Sequence, residues 1–151
     1  KQPEEAFPIC DFGYIDTANK TEVRGEGGKS GVFYMALGDA GLYKFCYENG
    51  TDEIHVKRLT DAKDACYRMG LGVIGEGREY LTEEKAIYFC GRLDGEYGFY
   101  RTLDEGKSYE RLNRENQMYG EINSIDGDKR KFGRFFLATG SRGVLYGEML
   151  K

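Results

Sequence analysis

The chain has 151 residues, enough for one domain with a real core, and its 40% hydrophobic content excludes a disordered tail. Its formal net charge is −4, with acidic and basic residues interspersed, so no basic stripe offsets phosphate repulsion and no nucleic-acid partner is expected. No apolar run approaches the roughly 20 residues that cross a bilayer, which argues against membrane insertion, while 22 glycines, 2 prolines and abundant Tyr and Phe point to aromatic-rich strands joined by tight turns.

In chain order, Phe7 to Asp16 reads as a first strand. Val32 to Leu37 follows as an apolar strand, turns through Gly38-Asp39-Ala40 and returns as Gly41 to Lys44. Glu53 to Leu59 reads as an outer strand beside that hairpin, and Tyr67 to Ile74 as the inner strand of a second unit. Ala86 to Cys90 then leads through a turn over Gly91 to Tyr97 into Gly98 to Arg101, with Ser108 to Leu112 outside it. A third unit has Glu121 to Asp126, Phe135 to Ala138, a turn over Thr139 to Arg142, and Gly143 to Tyr146. Only Gly147 to Lys151 remain, too few for a further strand.

These units form an internal repeat. The anchors Gly41, Gly98 and Gly143 are 57 and then 45 residues apart, the period of a four-stranded propeller blade. The second strand of each unit is continuously apolar rather than alternating, so both faces of its sheet must be covered. The turns are too short for parallel crossovers, which makes the sheets antiparallel. The fold predicted is all-β: about three β-propeller blades over residues 7–60, 61–113 and 114–151, the last lacking its fourth strand. Closed propellers use roughly 4–8 blades, so the remainder of the propeller, in the same precursor or another chain, is the expected partner.

Thr102-Leu103-Asp104-Glu105-Gly106-Lys107-Ser108-Tyr109 fits the Asp-box pattern S/T-x-D-x-G-x-S/T plus an aromatic, placed between the third and fourth strands of its blade. Thr102, Asp104, Gly106, Ser108 and Tyr109 are read as a structural staple, because turn bonding alone explains an aspartate there. Gly70-Leu71-Gly72-Val73-Ile74-Gly75 satisfies G-x-G-x-x-G, but no crossover helix follows to hold a pyrophosphate. Gly28-Lys29-Ser30 lacks the upstream glycine of a P-loop. His55 lies in a predicted outer strand without a nucleophile elbow and reads as a solvated strand residue. Cys10, Cys46, Cys66 and Cys90 contain no C-x-x-C pair; two disulfides and four buried thiols both fit their spacing. Neither a cofactor nor a metal site is expected. Asn19-Lys20-Thr21 and Asn49-Gly50-Thr51 match the N-glycosylation pattern.

From Gly41 to Leu150 the order of local motifs resembles the C-terminal propeller of the xyloglucanase-type family 74 of glycoside hydrolases. The matching stretches are Asp94-Gly95-Glu96-Tyr97-Gly98-Phe99-Tyr100-Arg101, Arg111-Leu112-Asn113, Asn116-Gln117-Met118-Tyr119-Gly120, Gly127-Asp128, Ala138-Thr139-Gly140-Ser141-Arg142-Gly143 and Tyr146-Gly147-Glu148. The resemblance implies a secreted endo-acting β-glucan hydrolase of two propellers, with an inverting aspartate pair upstream of the matched portion. No catalytic residue is therefore assigned to this chain. Tyr97, Gln117 and Tyr119, on blade-connecting loops, are the expected polysaccharide contacts. Met118 stands where the family has His, and Trp is absent. Those departures favour a second reading, a non-catalytic Asp-box propeller serving as a glycan- or protein-binding scaffold.

Overall fold

The computed structural model describes residues 22–25, 32–47, 53–80 and 84–149. All the regular structure in them is β. The first sheet has the order β1(Glu22–Gly25), β2(Val32–Ala36), β3(Leu42–Tyr47), β4(Ile54–Arg58). The second has β5(Ala65–Val73), β6(Lys85–Leu93), β7(Glu96–Thr102), β8(Glu110–Arg111). The third has β9(Ile122–Gly127), β10(Arg134–Thr139), β11(Val144–Glu148). Every pairing is antiparallel between chain neighbours, as the short turns require.

Several boundaries differ from the sequence reading for identifiable reasons. Phe7 to Asp16 lies outside the described residues, and the first strand of the first sheet is Glu22–Gly25, a polar stretch with too little apolar signal to stand out. The second hairpin turns not over Gly91 to Tyr97 but over two residues, since Leu93 pairs with Glu96. Asp94 and Gly95 both have positive φ, 51° and 83°, which is what a two-residue turn matched to strand twist needs. The outer strand expected over Ser108 to Leu112 shrinks to Glu110–Arg111 because Ser108 and Tyr109 belong to the preceding turn. Cys46, Cys66 and Cys90 stand as thiols rather than disulfides.

The sheets stack face to face in one consistent register. Between the first and second lie Tyr34, Ala36, Leu42 and Leu59 from one side and Met69, Leu71, Ile87, Phe89 and Tyr100 from the other. Between the second and third lie Ala86, Tyr88, Cys90 and Phe99, facing Ile122, Ile125, Phe135 and Leu137. Along β6, Ile87 and Phe89 therefore face backward while Tyr88 and Cys90 face forward, and all four are buried. That is the physical meaning of the continuous apolar run: each side chain on both faces is removed from water, worth about 2 kcal/mol apiece for the larger ones.

The third sheet breaks this pattern on its forward side. Phe136, Val144 and Tyr146 stand where Tyr88, Phe99 and Arg101 stand in the second sheet, yet are 37%, 72% and 69% exposed. β10 and β11 thus alternate in burial, not because their residues are polar but because nothing among the described residues covers that face.

Inner strands approach one another closely. A Cβ on Gly70 would lie 2.3 Å from the Ile125 carbonyl oxygen, and one on Gly127 would lie 2.7 Å from the Gly72 Cα. The G-x-G portion of the dinucleotide-like motif is thus a steric requirement for packing β5 against β9.

Candidate functional site: a polar rim and the cleft between the second and third blades

Antiparallel connectivity places the β2–β3, β6–β7 and β10–β11 turns at one end of the stack, with the connections from β4 to β5 and from β8 to β9. Bonds within and between sheets hold this rim together. Gly38 and Cys66 exchange backbone bonds of 2.8 Å, the Asp94 N–H donates to Asp64 Oδ1 at 2.9 Å, and the Gly140 N–H donates to the Glu121 carbonyl at 3.0 Å. Arg68 Nε donates to the Asn123 carbonyl at 2.8 Å, tying β5 to β9 at the same end.

Tyr97 sits on this rim, half-buried between Tyr67 at 6.4 Å and Phe99 at 6.5 Å between ring centroids. Burial, and then the neighbouring Cys90 sulfur, push its hydroxyl pKa far up, so it stays neutral. The Tyr67 hydroxyl donates to Asp39 Oδ1 at 3.2 Å, and burial followed by that carboxylate raises its pKa as well. Asp39, Tyr67 and Arg68 were not singled out by sequence reading. Their signal, an aromatic–basic pair opening the inner strand, is visible only once β5 is placed beside the β2–β3 turn.

Gln117 and Tyr119 lie together in a different part of the rim. Both line a cleft of about 670 Å³ between the outer strands of the second and third blades, with Arg114, Arg111, Glu110 and Tyr146 among its other polar walls. Its floor is apolar: Phe99, Leu112, Phe135, Leu137 and Leu145. Tyr119 stacks parallel to Phe99 with centroids 6.4 Å apart, and Gln117 Oε1 accepts the Arg114 N–H at 2.9 Å. The loop is anchored by buried Asn113, whose Oδ1 accepts the Phe99 N–H at 2.8 Å and whose Nδ2 donates to the Arg114 carbonyl at 3.2 Å. Tyr97 and Tyr119 therefore bracket Phe99, while Tyr97 does not line the cleft. His55 is exposed on β4. Among the described residues no group of three or more His, Cys, Asp or Glu side chains could hold a metal ion.

The Thr102–Tyr109 turn joins β7 to β8 and packs onto the first blade, where Gly106 and Tyr109 reach Leu59 in the connection from β4 to β5. Thr102 Oγ1 donates to Asp104 Oδ1 at 2.9 Å and accepts the Gly106 N–H at 2.8 Å. Asp104 also accepts the Ser108 N–H at 2.9 Å and the Ser108 hydroxyl at 2.6 Å. Tyr109 donates to the Leu59 carbonyl of the first blade and meets Phe89 edge-on at 5.8 Å. Glu105, at φ 55°, reaches across to the Lys44 ammonium and accepts the Tyr34 hydroxyl at 3.1 Å. Burial alone would raise the Glu105 carboxyl, but Lys44 and Tyr34 together hold it below its usual range. All of these contacts join the first blade to the second.

The bonds from Ser108, and then that from Thr102, hold the Asp104 carboxyl down to about 2. A carboxyl depressed in the folded state contributes stability above its ordinary value of 3.8, lost as pH falls toward about 2. Asp104→Asn should therefore lower the thermal midpoint at pH 7 and flatten its decline over that acid window, read by unfolding scans from pH 5 to 2.

Comparison with known proteins places this geometry. No family model matches the chain. The xyloglucanase Xgh74A of Acetivibrio thermocellus is 33% identical over 122 residues, covering 80% of this chain and 13% of its own length. A probable oligoxyloglucan-reducing end-specific xyloglucanase of Neosartorya fischeri is 30% identical over 127 residues. The crystal structure of the GH74 xyloglucanase of Xanthomonas campestris superposes with a TM-score of 0.70 at 28% identity, covering 91% of this chain and 18% of that one. The GH74 enzyme of Niastella koreensis gives 0.67 at 27% identity. This chain is a GH74 xyloglucanase-type propeller region. In GH74 terms its three sheets are successive blades, and the chain spans only a small part of the relatives it matches. No described helix is long and apolar enough to cross a membrane.

Proposed function

We propose that the chain is the blade scaffold and one wall of a secreted xyloglucan-type β-glucan endo-hydrolase, whose catalytic pair lies outside these residues. The observation that carries this reading is the 33% identity to a xyloglucanase over 80% of the chain, together with an intact blade register. The Thr102–Tyr109 turn is its Asp box, fastening the first and second blades. Tyr97, Gln117 and Tyr119 contribute polysaccharide contacts. Gln117 and Tyr119 offer an amide and an aromatic edge in one cleft, and Tyr97 presents its ring beside Tyr67. The remaining blades pack on the open face of Phe136, Val144 and Tyr146, whose burial the first two interfaces exemplify.

A full-length protein carrying this region should release reducing ends from xyloglucan and shorten the polymer early in the reaction. Substituting Tyr119→Ala and Gln117→Ala together should raise KM several-fold with kcat little changed, since uniform binding contacts act on KM. Full activity with unchanged KM in that double variant would remove these residues from the substrate wall. Complete inactivity of the unmodified protein on β-glucans would favour the second reading, a binding scaffold. That reading draws on Met118, which stands 43% exposed in the cleft-side loop where the family resemblance has His.

A further inference from the structure

The hydrogen-bonding groups left open around the cleft between the second and third blades are of one kind. Its two carboxylates are engaged by cations that do not line it: Glu110 Oε2 accepts Arg101 Nη2 at 2.6 Å, and Glu148 Oε1 accepts Lys131 Nζ at 3.0 Å and Arg134 Nε at 2.7 Å. Gln117 Oε1 is taken by the Arg114 N–H at 2.9 Å, which leaves Nε2 as the open end of that amide. The Arg114 guanidinium makes no bond among the described residues. Behind Glu110 the shortage of acceptors continues. Arg101 is 4% exposed, yet its Nε and Nη1 have no acceptor, and neither has the buried Nε of Arg111. These buried nitrogens do not reach a ligand, but they leave positive edges beneath the wall that no oxygen of the protein answers.

That pattern is a poor match for bare sugar hydroxyls. A hydroxyl carries a proton that needs an acceptor as well as lone pairs that need a donor. The floor beneath the donors is apolar, made by Phe99, Leu112, Leu137 and Leu145. Tyr119, whose hydroxyl can serve either way, stacks parallel to Phe99, so one face of its ring is given to the protein. An ester answers both halves of the wall. Its carbonyl oxygen only accepts, and its alkyl end brings no polar group to be left unpaired on the floor.

We infer that the cleft recognises an O-acyl substituent carried by the polysaccharide, O-acetyl in its smallest form. The carbonyl oxygen takes hydrogen bonds from Gln117 Nε2 and the Arg114 guanidinium, and the methyl lies on the half-buried side chains of Leu112 and Leu145. This rests on the reading of the cleft as part of the substrate wall. Gln117 is then a specificity-determining residue. The bond through Oε1 fixes which end of its amide faces the ligand, so the wall offers a donor where a glutamate would offer a second acceptor.

The test is the affinity of the full-length protein for two preparations of one xyloglucan: a batch acetylated chemically to a low degree, and the same batch after alkaline de-O-acetylation, so that chain length is matched. Binding is read by retardation in gels containing the polymer, which makes the outcome independent of turnover. The acetylated polymer should bind about fivefold more tightly, close to what one buried methyl contributes. Gln117→Glu keeps an oxygen to hold the loop and exchanges the donor for an acceptor. It should abolish the preference while leaving affinity for the de-O-acetylated polymer within about twofold. Equal affinity of the unmodified protein for the two polymers, or a preference that survives Gln117→Glu, overturns the inference. The wall itself is judged separately by the double variant Gln117→Ala, Tyr119→Ala, which should bind both polymers more weakly. If that variant binds both as the unmodified protein does, the cleft is not a substrate wall and both ideas fall. Weaker binding of both by that variant, with no acetyl preference in the unmodified protein, removes the acyl rule alone.

Discussion

Gly70→Ala should destabilise the fold by about 3 kcal/mol, the upper end for forcing atoms into a packed interior. The added methyl would sit 2.3 Å from the Ile125 carbonyl oxygen and 2.5 Å from the Asp126 Cα, both backbone atoms that no rotamer change can move. Relief requires β5 and β9 to separate, and that separation would also open the contact of Gly72 with Gly127 and the packing of Tyr88 on Phe135. Chemical unfolding should therefore show a lowered midpoint with an unchanged slope. Gly75→Ala is the internal comparison: its methyl would meet only the flexible Arg78 side chain, at 3.2 Å, so its effect should stay within about 0.5 kcal/mol. A phosphate-cradling loop would depend on all three glycines for reasons of ligand approach. A steric seam depends on the two that face β9, and the contrast between Gly70 and Gly75 reads that difference directly.

The repeat was legible because burial on both faces leaves a mark in sequence that few other antiparallel arrangements leave. Ile87, Tyr88, Phe89 and Cys90 are consecutive and all interior, and no single-faced sheet would tolerate that run. Strand ends were harder to read. Asp94-Gly95 makes a two-residue turn inside a stretch of Gly, Asp and Glu that looks like a longer loop, and the strand Glu22–Gly25 has only Val23 to announce it. The site was partly legible: Gln117 and Tyr119 do fall in one cleft, whereas Tyr97 joins an aromatic row with Tyr67 that forms only through the stacking of blades. The triplets Arg58-Leu59-Thr60 and Arg111-Leu112-Asn113, each at the end of an outer strand, were present as letters, but their meaning lies in two hydrogen bonds to residues at least 14 positions earlier: Thr60 Oγ1 accepts the Leu42 N–H at 3.0 Å and Asn113 Oδ1 accepts the Phe99 N–H at 2.8 Å. Nothing in local spacing connects Thr60 to Leu42.

That connection yields the second large effect. Asn113→Leu keeps the volume of the side chain and removes its oxygen, leaving the Phe99 N–H inside the interface between the second and third blades without an acceptor. An orphaned buried donor costs about 1–3 kcal/mol, and the lost bonds from Nδ2 add to it, so the expected loss is about 3 kcal/mol in urea unfolding. Thr60→Val should cost about 2 kcal/mol by the same route at Leu42, and Thr60→Ser, which keeps the hydroxyl, should recover most of it. If Thr60→Val and Thr60→Ser were equally stable, the Thr60 cap would have no energetic content. The two caps also differ in what they carry. Thr60 opens the short connection into β5, while Asn113 opens the longer loop that holds Gln117 and Tyr119 over the cleft, with the Met118 sulfur 3.3 Å from Nδ2. Asn113→Leu should therefore weaken polysaccharide binding by the full-length protein as well as stability, whereas Thr60→Val should affect stability alone.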